Sequence, residues 1–237
     1  MNFEIPEDLR KYIQRLDSFI DQEIKPLQAQ DDNERFFDHR REHSRTDWDA
    51  GGTPRKDWEE LLGKARRLAD QAGFYRFTLP EEYGGRNGSN LWMAVIREHL
   101  AAKGLGLFND LQNEHSVVGN FPVIAMLREY GNDLQKSEFI PGMLEEKVVM
   151  TFGLTEPGHG SDATHLETIA RPHTDGWMIN GIKMWQTGMH VATHCIVFAR
   201  TSGRPGSPKG ITAFIIPAKT KGIKIESYEW YDPFSCR

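Results

Sequence analysis

Hydrophobic and polar positions divide this chain into two halves with different periods. In "IPEDLRKYIQRLDSFIDQEIKPL" the apolar side chains fall at Leu9, Tyr12, Ile13, Leu16, Phe19, Ile20 and Ile24. That spacing makes a single helical stripe. Pro6 stands near its start with Glu7 and Asp8 in the first turn, where the helix dipole favours negative charge, and Pro26 predicts its end. Residues 29–52 are polar and densely charged, so they are expected to form a long connection, an insertion or surface excursion with one turn around "RFFDHRR". A second helix is predicted from Thr53-Pro54, as N-cap and first-turn proline, to Gly73, with Trp58, Leu61, Leu62, Ala65, Leu68 and Ala69 on its apolar face. "LPEEYGGRNGS" is turn chemistry. Ser89 caps a third helix, "NLWMAVIREHLAAK", which stops at Gly104; a fourth is predicted over residues 117–130; Asn132 caps a short one that Pro141 interrupts.

The period changes near Lys147. "VVMTFGLT", "THCIVFART", "GITAFIIPA" and "GIKIESYEW" read as strands, and Asp175-Gly176 and Asn180-Gly181 are tight-turn signals between strand-length runs. Helices followed by strands argue for an α+β class rather than alternating βαβ units. The boundary falls between residues 146 and 147, giving an all-α part (1–146) and a β part (147–237).

Composition sharpens this only slightly. The 237 residues, 38% hydrophobic and 27% charged, can bury a real core. The formal charge of −5 (29 − 34) argues against a dedicated nucleic-acid binder. "HRREHSR" is a local basic cluster beside "DDNER" and reads as a solvated mixed-charge segment or a phosphate-binding patch. The two cysteines offer neither a disulfide framework nor a metal site, and Cys195 within "CIVFA" reads as a buried, inert thiol. The first residues lack the pattern of a signal peptide and no apolar run approaches the length of a membrane span, so a cytoplasmic location is expected.

Chemistry concentrates in "TFGLTEPGHGSDAT", where a β-forming run meets Pro157, Gly158 and Gly160. Glycines let backbone turn sharply or approach a ligand, Thr155 and Ser161 offer hydroxyls, and free backbone N–H groups cradle anions. A plain surface turn between strands has the same composition, and the loop matches neither the dinucleotide nor the P-loop fingerprint. His159 reads as a solvent-facing or capping side chain. The second stretch, "INGIKMWQTG", places Trp185 and Thr187 two apart, on the same face of a strand. An indole beside a hydroxyl suits a flat hydrogen-bonding ring, although a tryptophan in a strand is also an ordinary half-buried core residue.

Together "LTEPGHGSDA" and "INGIKMWQTG" resemble the acyl-CoA dehydrogenase family, as do "LPEEYGG" and "GNDLQKSEFIPGM". The likeness extends from near the first helix to about residue 228. It implies an all-α amino-terminal domain, then a small antiparallel β-barrel, here partial, and FAD as cofactor. Phe152, Leu154 and Thr155 would run along the flavin ring, with Thr155 bonded to its pyrimidine side. Gly160 and Ser161 would lie near the pyrophosphate and the mouth of the acyl-CoA site. Trp185 would flank the isoalloxazine and Thr187 would donate to N5. The apolar residues of 105–118 would help shape an acyl pocket, unless they make an ordinary helix–helix contact.

The implied reaction is α,β-dehydrogenation of an acyl-CoA to the trans-2-enoyl-CoA, with electrons passed to an electron-transfer flavoprotein or similar acceptor by a homodimer or homotetramer. An acyl-CoA oxidase, a flavin monooxygenase and a non-catalytic interaction remnant share the same outline. The chain reaches Arg237 without the helical bundle that carries the family's catalytic carboxylate. No residue is assigned as the base, Glu156 is a poor candidate, and little activity is expected of this chain alone. Strand edges left open would invite pairing with another chain.

Overall fold

The computed structural model describes residues 4–38, 40–41, 43–109 and 116–226. They divide into two compact units, one of the described residues up to Ala125 and one spanning Met126–Glu226.

The first unit is helical. Helix α1 (Glu7–Phe19) buries Leu9, Tyr12, Leu16 and Phe19, as its stripe predicts. The chain does not leave the helix at Pro26. A π turn (Ile20–Ile24) intervenes and α2 (Lys25–Ala29) follows. The Lys25 amide bonds the Ile20 carbonyl, and this wider turn makes room for a proline ring that an α turn would exclude.

The described residues of 29–52 combine an exposed surface, as expected, with a buried anchor at Phe36, Arg45 and Thr46. They form a 3₁₀ turn (Asn33–Phe37) and strand β1 (Thr46–Asp47), which pairs with β2 (Thr53–Pro54). Thr53 and Pro54 therefore belong to a ribbon, and helix α3 (Lys56–Gln71) starts after Arg55. The reason for the packing is Arg45. Its guanidinium lies 4.2 Å from the centroid of the Trp58 ring, and its Nε donates to the Phe36 carbonyl at 2.7 Å. Arg45, Phe36 and Trp58 are all fully buried. His39 and Glu42 of the basic cluster lie outside the described residues.

Helix α4 (Asn90–Ala102) begins at Ser89, whose hydroxyl accepts the Trp92 amide. Residues 105–109 are not helical, and Leu107 and Phe108 are core residues there; 110–115 lie outside the described residues. The core of this unit joins α1, α3 and α4 through Tyr12, Phe74, Phe77 and Trp58. Helix α5 is shorter than expected, Pro122–Tyr130, because Pro122 suits a first turn and Gly119 is engaged instead with the Tyr75 carbonyl.

In the second unit, Asn132 and Gln135 form a reciprocal capping box at the start of α6 (Asp133–Leu144). Pro141 lies inside this helix near its end rather than interrupting it. Strand β3 (Met150–Gly153) leads into the sheet, with β4 (Ile169–His173), β5 (Gly176–Asn180), β6 (His194–Arg200) and β7 (Ile211–Pro217). Strand β6 pairs antiparallel with β7 along its whole length and parallel with β3, and it meets β4 at Arg200↔Ile169. The sheet is mixed and not closed into a full barrel. The parallel pairings follow from the long crossover between β3 and β6, which no tight turn can supply.

The β4–β5 hairpin turns at Thr174-Asp175, ahead of Gly176 with φ +150°. Asn180-Gly181 is not a turn. A Cβ on Gly181 would lie 2.7 Å from the Cα of Thr168, so glycine is needed there for close approach of two backbones. Residues 222–226 form no strand, and the rest of "GIKIESYEW" lies outside the described residues. Buried Arg200 ties the end of β6 to the loops, donating to the carbonyls of Thr164, Ser202, Ser207 and Lys209.

Candidate functional site

Strand β3 alternates. Thr151 and Gly153 are buried, while Phe152 is 44% exposed, with its ring 4.8 Å from that of Phe198. Strand order stops at Gly153, so Leu154 and Thr155 belong to the loop and not to a continuing strand.

The loop is anchored at Glu156, whose residue is only 4% exposed. Its carboxylate accepts the Thr168 amide at 2.9 Å, the Glu167 amide, and the Lys183 ammonium at 2.8 Å. Burial opposes ionisation, but Lys183 and these backbone donors outweigh it and hold the carboxyl down to about 2. A carboxylate saturated in this way is an anchor rather than a base. Lys183 is 90% withdrawn from solvent (side chain 10% exposed) and also donates to the Leu154 carbonyl at 3.0 Å.

The two motifs read from the sequence lie side by side. The Thr155 carbonyl accepts the Met184 amide at 3.0 Å, and the Thr151 hydroxyl donates to the Thr187 carbonyl at 2.9 Å. The expected strand through Trp185 and Thr187 is absent. Residues 181–186 form neither strand nor helix, and 187–191 turn. Trp185 has φ +63°, a left-handed conformation, so its relation to Thr187 is not the two-residue alternation of a strand. Two bonds account for it: Thr155, from the preceding loop, engages Met184, and the Thr187 amide turns back onto the Trp185 carbonyl at 3.1 Å. The Trp185 residue is 63% exposed.

Gly158 and Gly160 keep ordinary φ, and a Cβ on either would meet no atom within 4 Å. The chain's own packing does not demand glycine there. What the glycines do is keep the outer side of the loop bare. Ser161 is exposed next to them. Asp162 caps the turn that follows, accepting from the Thr164 amide and pairing with His165 at 2.6 Å. His159 stacks on His165, with 5.9 Å between ring centroids, and faces Glu167.

The structure thus brings Phe152, Leu154, Thr155, Trp185 and Thr187 together, with Gly160 and Ser161 on the same loop. The residues that sequence reasoning left out are Lys183 and the anchoring role of Glu156. Lys183 is the one charged residue of its motif, and Glu156 is one of two carboxylates in a turn-forming one; that was the available signal. No helix of the described residues is long and apolar enough to cross a membrane.

Comparison with known proteins adds the following. The family model "Acyl-CoA dehydrogenase, N-terminal domain" matches residues 34–147, and "Acyl-CoA dehydrogenase, middle domain" matches residues 151–232. A 3-(aryl)acrylate reductase of Clostridium sporogenes is 36% identical over 155 residues, 65% of this chain and 39% of that protein. The glutaryl-CoA dehydrogenase of Desulfococcus multivorans is 28% identical over 97% of this chain and 52% of its own length. Among solved structures, a glutaryl-CoA dehydrogenase from Mycobacterium smegmatis in complex with FADH2 superposes with TM-score 0.60 at 26% identity, over 92% of this chain and 47% of that one. The chain therefore spans about half or less of the length of the relatives it matches.

Proposed function

This chain belongs to the acyl-CoA dehydrogenase family, an oxidoreductase family, and from that premise we propose that it carries the flavin-facing strand and loop of an enzyme that dehydrogenates an acyl-CoA thioester to the trans-2-enoyl-CoA. The observation that carries the reading is the Thr155–Met184 bond, which joins the two motifs on one surface. The proposed cofactor is FAD, and the residues present fit a flat ring with a phosphate tail. Phe152 and Trp185 expose aromatic surface, and Gly158 and Gly160 leave the loop bare.

In this reading Phe152, Leu154 and Trp185 pack on the ring, the hydroxyls of Thr155 and Thr187 orient its polar edge, and Gly160 and Ser161 serve the pyrophosphate. Ser161 also meets the substrate. When bound, FAD supplies the two-electron acceptor. The chain's own contribution is to bind, orient and exclude water, with fixed donors aimed where charge develops. Dehydrogenation also needs a base within reach of the α-proton. No side chain of this chain is assigned that role, and saturated Glu156 is unsuited to it.

The reading extends to an electron-transfer flavoprotein or similar acceptor, to a homodimer or homotetramer, to a cytoplasmic location, and to domains divided between residues 146 and 147. The 36%-identical relative named for reducing an acrylate supports one second reading, the same site run in the reducing direction.

The test is titration of FAD with the purified chain, followed by flavin fluorescence, then addition of glutaryl-CoA and short-chain acyl-CoAs, once anaerobically with an artificial electron acceptor and once in air. We expect quenching of the flavin and no steady turnover. Failure of FAD to bind overturns the reading. Steady enoyl-CoA formation would place a base within this chain, and peroxide release would favour an oxidase.

A further inference from the structure

Trp185 is held in a conformation it does not prefer. A left-handed backbone is unfavourable for a non-glycine residue and persists only where its surroundings over-determine it. Here they do. On the amino-terminal side the Met184 amide is fixed to Thr155, and on the carboxy-terminal side Thr187 closes onto the Trp185 carbonyl. The Trp185 ring takes little part in this, being largely exposed. The neighbouring side chain, Lys183, adds a second tie between the two segments.

The buried Lys183 ammonium donates to two acceptors, the Leu154 carbonyl at 3.0 Å and the Glu156 carboxylate at 2.8 Å. These acceptors flank Thr155. The two motifs are thus clamped twice in three residues, once by backbone at Thr155–Met184 and once by a charge-assisted fork on either side of Thr155. The ammonium also lies next to the Leu154–Thr155 peptide, so it fixes the plane of that peptide as well as its position.

We propose that Lys183 is a positioning residue that holds Thr155 and the left-handed Trp185 in register as one rigid ring-binding platform. This rests on the flavin reading above for its purpose, although the platform itself is a property of the chain. Lys183 touches neither ring nor substrate in this scheme. It acts through Leu154, Glu156 and Trp185.

The test labels the six tryptophans of the chain with fluorotryptophan and assigns the Trp185 resonance by its loss in Trp185→Phe. In Lys183→Met the Trp185 line is expected to move toward the position of the free amino acid while the Trp177 line stays. A control for general destabilisation is Gly203→Ala in the same unit, where φ is +74° and a Cβ would lie 2.7 Å from the Lys209 carbonyl. It should leave the Trp185 line in place. FAD affinity is expected to fall about tenfold or more in Lys183→Met and to stay within about twofold in Gly203→Ala.

An unmoved Trp185 line in Lys183→Met, or an equal shift in the control, overturns the proposal. Should Lys183→Met fail to fold, with every line collapsed, Lys183→Arg keeps the charge at a different reach and is judged by the same line. If the wild-type chain binds no FAD, the flavin reading fails and the fluorine spectra still decide the role of Lys183.

Discussion

The Thr155 carbonyl accepts the Met184 amide at 3.0 Å, one residue before Trp185 enters the left-handed region at φ +63°. Glycine would relax that backbone, and the exposed indole contributes little burial to the fold. Trp185→Gly is therefore expected to leave thermal stability within about 1 kcal/mol of wild type. If the indole is the ring platform proposed above, the same change should weaken FAD binding about tenfold or more. Paired melting curves and flavin titrations separate the two effects.

Glu156 predicts an acid-sensitive fold. Its carboxyl titrates near 2 in the folded chain against an ordinary value of 4.5, so the unfolded chain takes up the proton first. The stabilisation, about 3 kcal/mol, is complete above roughly pH 5 and is lost as pH falls through the window from 4.5 towards 2. Glu156→Gln should remove most of that pH dependence and cost about 3 kcal/mol near neutrality, because Lys183 stays buried without its counter-charge. Urea denaturation of both proteins across this pH range measures each part.

Two glycines should respond in opposite ways. Gly181→Ala drives a Cβ to 2.2 Å from the Thr168 hydroxyl and is expected to cost about 1–3 kcal/mol of stability. Gly160→Ala meets nothing within 4 Å and should melt like wild type. If the bare loop receives FAD, that same methyl should cut flavin affinity about tenfold. A silent Gly160→Ala in the flavin titration would remove Gly160 from the site.

Cys195 should be inert. It is 5% exposed, and burial pushes its thiol above the ordinary range. Alkylation at Cys195, read from the peptide that contains it, should be ~100-fold slower in the native chain than in urea.

Much of the helical half is legible in the sequence because burial there follows a local period. The stripe from Leu9 to Ile24 is buried as its spacing requires. Pro26 misleads because the signal for a break is local, whereas a π turn upstream accommodates the ring. Arg45 shows the opposite failure. A charge in a polar run reads as solvated, and only the tertiary meeting with Trp58 buries it.

At the candidate site, residue types singled out two segments that the structure places side by side, but not their conformation. Nothing local distinguishes a strand through Trp185 from the left-handed turn that Thr155 imposes from another part of the chain. The Glu156–Lys183 pair spans 27 residues and becomes visible only when the loop and the extended segment meet.

The mixed sheet has a kinetic consequence. The β4–β5 and β6–β7 hairpins close short loops, but β3 must find β6 across the 44 residues that separate Val149 from Thr193. Closing the longer loop costs more chain entropy before any pairing repays it. The hairpins should therefore form early and β3 dock last, an order that pulsed hydrogen exchange would read as late protection of the Thr151 amide. Thr151 supplies the bond to Thr187. If this surface is the flavin site, a nascent chain offers no half-built version of it to a passing ligand, and the capacity to bind is acquired in the final step of assembly.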